Sequence, residues 1–359
     1  MPYTEMNMQK MKTEAIELLK RMIEIPSTSR NETQVANMIE EFIKEKGLTA
    51  NRKGNNIWIV SDNFSNEKKT ILLNAHIDTV KPVSAWKSNP YKATVKENKI
   101  IGLGSNDDGA SVVSLLETFI YLNTKKQNCN FIFLASCEEE VSGKNGIESV
   151  LPELGKIDIA LVGEPTGMQP AIAEKGLMVV DVTVHGKAGH AARNEGENAI
   201  YKALDDINWI RNYHFEKSSN ILGDVKATVT IINSGTQHNV IPDECIYTID
   251  IRSNENYSNQ EIFNTLKKNL KGDPKARSFR LNSSKISPSH PLVERAIALG
   301  RTKIFGSPTL SDQALMNFPS LKMGPGDSSR SHTAEEYILV EEIEEAIELY
   351  IKMLDGIDI

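Results

Sequence analysis

Five short stretches of this sequence place acids or histidines just beyond an apolar run or beside glycines. They are His76 and Asp78 in "TILLNAHIDTV", Asp107 in "GLGSNDDGA", Glu138, Glu139 and Glu140 in "FIFLASCEEEVSG", Glu164 in "VGEPTG" and His332 in "SRSHTAEEY". Side chains alternate faces along a strand, so His76 and Asp78 should project to one side and share a task. Each stretch alone is weak evidence, because a lone histidine is usually structural and a run of acids is usually a solvated surface. A buried strand that ends in three carboxylates is a different case: crowded like charges raise one another's pKa and repel unless a cation sits among them. Two imidazoles and several carboxylates, with no thiolate, suit zinc in a hydrolytic site better than in a structural one. Two metals sharing one carboxylate would use this many ligands, keep a coordination position for water and leave one Glu free as a base. In that scheme the Asp78 carboxylate accepts a hydrogen bond from the far ring nitrogen of His76 and fixes its tautomer.

These residues converge only if the chain supplies a sheet with its strand ends at one edge. "NIWIV" (Asn56–Val60), "TILLNAHID", "NFIFLAS" (Asn130–Ser136) and "IDIALVGEP" read as buried strands, and another is expected near Lys99 to Leu103. Helical spacing links Met8, Met11, Ala15, Leu18, Leu19 and Met22, and again Val112, Val113, Leu116, Phe119 and Ile120. Between them Val35, Met38, Phe42 and Ile43 mark a helix that a Ser29-x-x-Glu32 capping box should start and Gly47 should end. Strands alternating with helices argue for an α/β sheet covered on both faces, which binds ligands at its strand ends. From about Gly176 the texture changes. "LMVVDVTVHG", "VKATVTIINSG" and "CIYTIDIR" alternate apolar and polar residues like antiparallel strands with one solvated face, around a helix in "ENAIYKALDDINWIRNY". "PSLKMGPG" then returns to the first pattern and "VEEIEEAIELYIKMLDG" closes with an amphipathic helix capped by Gly356. Residues 1–175 and 285–359 are therefore expected to form one discontinuous catalytic domain, with 176–284 as an inserted α+β domain.

A chain of 359 residues with 25% charged residues fits a globular protein of one large or two ordinary domains. Its net charge of −7, with basic residues scattered, offers no footprint for nucleic acid. Cys129, Cys137 and Cys245 show no CxxC spacing, so neither a disulfide framework nor a thiolate zinc site is expected and a cytoplasmic location is the simple reading. The N-terminal helix lacks the apolar core of a signal peptide, and no stretch reaches the ~18 apolar residues of a membrane span.

Seven motifs, in order along nearly the whole chain, resemble those of the M20 metallopeptidases: "HIDTV", "GLGSNDDGA", "CEEEVSGKNG", "GEPT", "GKAGHAA…NAI", "NVIPDECIYTIDIR" and "GPGDSSRSHTAEEYI". The resemblance implies a mixed central sheet with helices on both faces, an inserted lid and dimerisation domain, and two Zn2+ per chain, with Co2+ or Mn2+ as possible substitutes. His76, Asp107 and Glu164 would hold one ion, and Asp107, Glu140 and His332 the other, with Asp107 bridging. Glu139 would be the base. Aligning the triple Glu on Val141 and Gly146 puts Glu138 where the family usually has Asp; the alternative pair, Glu138 and Glu139, needs an extra residue before Gly146. Leu103 and Gly109 replace the family's usual Arg and Lys around the bridging acid, and Asp108 stands where many members are neutral.

His190 matches a family histidine that reaches the partner's active site across a dimer and stabilises the oxyanion. Asn239 and Arg252 match positions that bind the substrate carboxylate, although a surface salt bridge is the plain alternative for Arg252. Gly324, Pro325 and Gly326 should form a tight loop whose N–H groups can meet a carboxylate. His185 reads as structural, and Cys137 has no histidine motif to activate it. The implied activity is hydrolysis of an N-acyl amino acid, namely N-acetyl-L-ornithine or N-succinyl-L-ornithine as in arginine biosynthesis. Succinyl-diaminopimelate desuccinylase and dipeptidase or carboxypeptidase activities are the alternatives. A silent binding protein on the same fold would have no use for Glu139.

Overall fold

The computed structural model describes residues 5–193 and 195–359. The first four residues of the chain lie outside that range, and the expected N-terminal helix runs Glu5–Ile23. The chain forms two compact units, one of residues 1–172, 286–305 and 311–359 and the other of residues 173–285 and 306–310.

The first unit is a mixed α/β fold. Its sheet follows the order Asn51–Lys53, Asn56–Val60, Asn130–Ser136, Thr70–His76, Ile159–Val162, Ser320–Lys322 and Ala171–Glu174. The inner pairings, from Asn130–Ser136 across to Ser320–Lys322, are parallel and the outer ones antiparallel. Parallel strands end on the same side, and here His76 lies opposite Ser136 while Asn74 lies opposite Val162. Alternation sorts the strand residues onto two faces. Ile71, Leu73, Phe131 and Phe133 pack with Leu18, Leu19, Leu116 and Tyr350 of three helices, whereas Leu72, Ile132 and Leu134 pack with Ile147 and Val150 on the other side.

The strand expected near Lys99 forms, outside the main sheet, and one local expectation fails for an identifiable reason. Lys99–Ile101 is a strand but belongs to a separate three-stranded sheet with Thr94–Lys96 and Tyr337–Leu339. Glu97 and Asn98, at φ 50° and 65°, turn the chain straight back on itself as a tight hairpin requires. The Ser29 capping box does not form: the helix starts at Thr33 without a side-chain cap, and Ser29 Oγ donates instead to Asp78 Oδ2 at 2.7 Å. A hydrogen bond to a buried carboxylate is worth more than one to a half-exposed amide.

Helix Ala110–Asn123 carries one acid at an interior position. Glu117 is 1% exposed and its two carboxylate oxygens lack hydrogen-bond partners among the described residues. Lys46 Nζ is 4.0 Å away and paired with Glu14 at 2.6 Å. Burial pushes the carboxyl up from 4.5 to about 7, against the pull of Lys46. A carboxyl raised by folding is neutral in both states at low pH. As pH climbs from 4.5 towards 7 the unfolded chain ionises first, and up to roughly 3 kcal/mol of stability is lost. Glu117→Gln should therefore raise the unfolding temperature by several degrees at pH 8 and hardly at all at pH 4.5. Thermal unfolding at both pH values checks this, and equal shifts would remove ionisation from the explanation.

The second unit is a four-stranded antiparallel sheet in the order Lys226–Ser234, Glu244–Ser253, Gly176–His185 and Asp273–Ala276. Met178, Val180, Val182, Tyr247 and Ile249 form its core with Ala203 and Ile210 of helix Ala199–Asn212 and Ile262 and Leu266 of helix Asn259–Asn269. Gly176–His185 alternates buried and half-exposed residues, as its sequence implies. The edge strand Lys226–Ser234 does not. A register shift between Val229 and Ile231 breaks its alternation and leaves Ile231 and Ile232 50% and 49% exposed.

Candidate metal centre

The parallel strands of the first unit deliver the residues beyond their C-terminal ends to one sheet edge. Ligand atoms of His76, Asp107 and Glu164 lie within 4.8 Å of one another, and so do those of Asp107, Glu140 and His332. Asp107 belongs to both groups, and its two oxygens face different rings: Oδ1 is 3.2 Å from His76 Nε2 and Oδ2 is 3.6 Å from His332 Nε2. His332 Nε2 is 3.0 Å from Glu140 Oε2, and His76 Nε2 is 4.0 Å from Glu164 Oε1. Glu139 Oε2 lies 3.9 Å from His76 Nε2, outside both groups. Glu138 turns away and accepts from Asn145 Nδ2 at 2.9 Å.

The electrostatics call for cations. Burial holds the Glu139 carboxyl well above its ordinary range despite His76, and Glu164, Asp312 and Glu140 raise it further. The hydrogen bond with Glu140 lifts His332 to about 9, and the bond to Asp107 with the surrounding acids lifts His76 in spite of burial. Both shifts reflect a surplus of buried acids that divalent cations would balance. A donor set of two imidazoles and clustered carboxylates, one of them shared, fits a pair of divalent ions.

Several residues do something other than expected. The Nδ1 of His76 meets the main-chain carbonyl of Asp78 at 2.9 Å, while the Asp78 carboxylate is 3.6 Å away. That carboxylate instead accepts the N–H groups of Glu139 at 3.0 Å and Glu140 at 3.1 Å. Asp78 thus orients both the ring and the acidic turn, but with different atoms. The Gly324 N–H is taken by Thr166 Oγ1 at 3.1 Å, so it is not offered to a carboxylate. A Cβ there would stand 2.6 Å from the Glu164 carbonyl, and one on Gly326, at φ +86°, would stand 2.2 Å from Asn106 Oδ1. Both glycines serve close approach to the loops of Glu164 and Asp107.

In the second unit, Arg252 forks onto Asp250, with Nε–Oδ1 2.9 Å and Nη2–Oδ2 3.2 Å, which is the surface-pair alternative. His190 lies on the short strand Gly189–His190, paired with Val240–Ile241, and its Nδ1 accepts the Ala192 N–H at 3.1 Å. The carbonyl of Asn239 receives the Ala191 N–H at 3.0 Å, so His190 and Asn239 lie side by side on one two-stranded ladder. Cys137 is buried, and desolvation drives its thiol far above the range of a nucleophile.

Asp312 and Glu336 near the centre escaped the sequence reading, and Glu32 is read there only as part of a capping box. Asp312, 4% exposed and pushed to about 6 by burial, accepts from Ser136 Oγ at 2.6 Å. Glu32 accepts the Glu138 N–H at 3.2 Å, and Glu336 reaches the loop of Asp107. None stands just beyond an apolar strand, the signal that exposes Glu139, Glu140 and Glu164.

A family model described as peptidase family M20/M25/M40 matches residues 72–356. Among curated proteins, the chain is 28% identical to a succinyl-diaminopimelate desuccinylase of Corynebacterium glutamicum, over 91% of this chain and 92% of that one. It is 27% identical to an acetylornithine deacetylase of Buchnera aphidicola, covering 90% and 92%. A crystal structure of a dinuclear metal-binding M20 peptidase from Bacillus subtilis shares the fold, with a TM-score of 0.73 at 17% identity over 97% of this chain and 100% of that one.

Proposed function

The chain belongs to peptidase family M20/M25/M40, a family of metal-dependent peptidases and amidohydrolases, and from that premise we propose that it hydrolyses the amide bond of an N-acyl amino acid, N-acetyl-L-ornithine or N-succinyl-L-ornithine, in arginine biosynthesis. The observation that carries the reading is the pair of three-residue groups sharing Asp107, with Glu139 beside them and outside both. His76, Asp107 and Glu164 would hold one Zn2+, and Asp107, Glu140 and His332 the other. Bound there, zinc supplies Lewis acidity towards the amide carbonyl and lowers the pKa of water. Glu139 takes a proton at its carboxylate from the attacking water and returns it to the amine nitrogen as the amide breaks. Asp78 keeps His76 with its proton on Nδ1, which leaves Nε2 free to bind.

His190 is assigned to the oxyanion, supplied across a homodimer, and Asn239 and Arg252 to the substrate α-carboxylate. Asp250 occupies the Nε and Nη2 edge of Arg252, so a substrate carboxylate would either meet the remaining Nη1 side or displace Asp250. The dimer reading draws on large apolar residues exposed on the second unit: Tyr201 at 70%, Leu204, Ile231, Ile232, Val240 and Ile246. The three cysteines are free and buried, which accords with the cytoplasm, and no helix among the described residues is long and apolar enough to cross a membrane.

A second reading, desuccinylation of N-succinyl-diaminopimelate, is favoured by the equal similarity to that enzyme. Relative kcat/KM for N-acetyl-L-ornithine, N-succinyl-L-ornithine, N-succinyl-L,L-diaminopimelate and a dipeptide separates the readings. One of the ornithine derivatives should rank first, and its α-carboxamide should be poorer by about 10- to 100-fold, the worth of a lost charge-assisted hydrogen bond. The diaminopimelate compound or the dipeptide at the top would replace the substrate assignment, and a monomer by light scattering in the same preparation would remove His190 from the mechanism.

A further inference from the structure

We propose that Glu336 is a positioning residue that sets the place of Asp107 and so governs both halves of the metal centre at once. The inference rests on Asp107 being the shared ligand. Glu336 is 2% exposed and stands between the His332 loop and the strand Tyr337–Leu339. Its Oε1 accepts the N–H groups of Asn106 and Asp107, each at 2.9 Å, and its Oε2 accepts that of Gly104 at 3.2 Å. Its own carbonyl accepts the Gly102 N–H at 3.0 Å, just where Tyr337 pairs with Ile101. One residue thus receives four main-chain donors from the loop that runs from Gly102 to Asp107.

This is a costly arrangement for structure alone. A buried carboxylate loses its hydration, and Glu336 is compensated by amides, with the charge of Asp107 working against it. Converging main-chain N–H groups form a concavity suited to an anion, and here the anion comes from the protein itself. The loop cannot slide without breaking those bonds, and the N–H that fixes it most directly is that of Asp107. A second tie runs parallel: Asn106 Nδ2 donates to the Asp327 carbonyl at 3.1 Å and to Ser331 Oγ at 3.2 Å, while Asn106 Oδ1 accepts the Asp327 N–H at 3.0 Å. Asp107 and His332 are therefore held in register by the segment that carries His332.

A residue outside the ligand set that orients a ligand typically changes metal affinity about 10- to 100-fold when replaced. Glu336→Gln keeps the volume but puts an NH2 group against main-chain donors, and Glu336→Asp keeps the charge but falls one methylene short. The test measures Zn2+ content and affinity by chelator competition, together with kcat and KM, for the wild type, both Glu336 variants, His332→Ala and Asp107→Ala. His332→Ala should weaken one ion. Each Glu336 variant should weaken both ions together, with kcat falling more than about 10-fold and KM changing little. Two ions held at wild-type affinity in either folded variant would overturn the proposal; should Glu336→Gln fail to fold, Glu336→Asp decides. If the wild type holds fewer than two ions, or Asp107→Ala loses only one, the shared-ligand reading itself has failed and this inference goes with it.

Discussion

Glu139→Gln is expected to lower kcat by roughly 100- to 10,000-fold, the usual worth of a general acid–base, with metal content and KM near those of the wild type. The substitution preserves shape and leaves both groups of three untouched, since Glu139 lies 3.9 Å from His76 and belongs to neither. Glu138→Gln should cost only a few-fold, because that side chain faces Asn145. Steady-state kinetics with metal analysis of the three proteins checks the ranking. A harsher loss from Glu138→Gln would shift the base by one residue and the ligand to Glu139.

Removal of the metals should be the other large effect. Purified protein is expected to carry about two divalent ions per chain, and exhaustive chelation should abolish activity and lower the unfolding temperature. Ions present at about a thousand times their dissociation constant stabilise by about 4 kcal/mol, and here they also relieve repulsion among Asp107, Glu139, Glu140 and Glu164. His76→Ala and Glu140→Ala should each reduce the stoichiometry. Full metal and full activity in both variants would remove them from the ligand set, and unchanged thermal stability after chelation would argue that the carboxylates are balanced in some other way.

His76, Glu139, Glu140 and Glu164 are legible in the sequence because each lies at or just beyond the end of an apolar strand, whereas Asp107 and His332 sit in loops that only their motifs mark. The strands Asn56–Val60 and Asn130–Ser136 run between the very residues their apolar patterns mark. A residue just past the end of such a strand can be read as facing the sheet edge. The partners of those residues are another matter. The amides that Asp78 and Glu336 collect lie 61 and 229 residues away along the chain, at Glu139 and Asp107. Whether Ser29 caps a helix or meets Asp78, and whether the Gly324 N–H is open or taken by Thr166, depends on which loops arrive beside it. Periodicity carries no information on that. Arg252 and Asp250 are the exception, being two apart on one strand and hence on one face, so that pairing was open to inspection.

The division of the chain has a consequence for its synthesis. The second unit is drawn almost wholly from the continuous stretch 173–285, so its strands and helices can meet as soon as they emerge. The first unit has no such freedom. Its sheet awaits Ser320–Lys322, the centre awaits His332, and helix Ala110–Asn123 awaits the residues of helix Val340–Leu354 that cover it. A nascent chain therefore holds the apolar strands Thr70–His76 and Asn130–Ser136 incompletely covered until those later segments emerge, and exposed strand surface is prone to wrong association. On the ribosome, then, the insert is able to mature early, while the half that does chemistry stays vulnerable until helix Val340–Leu354 has emerged.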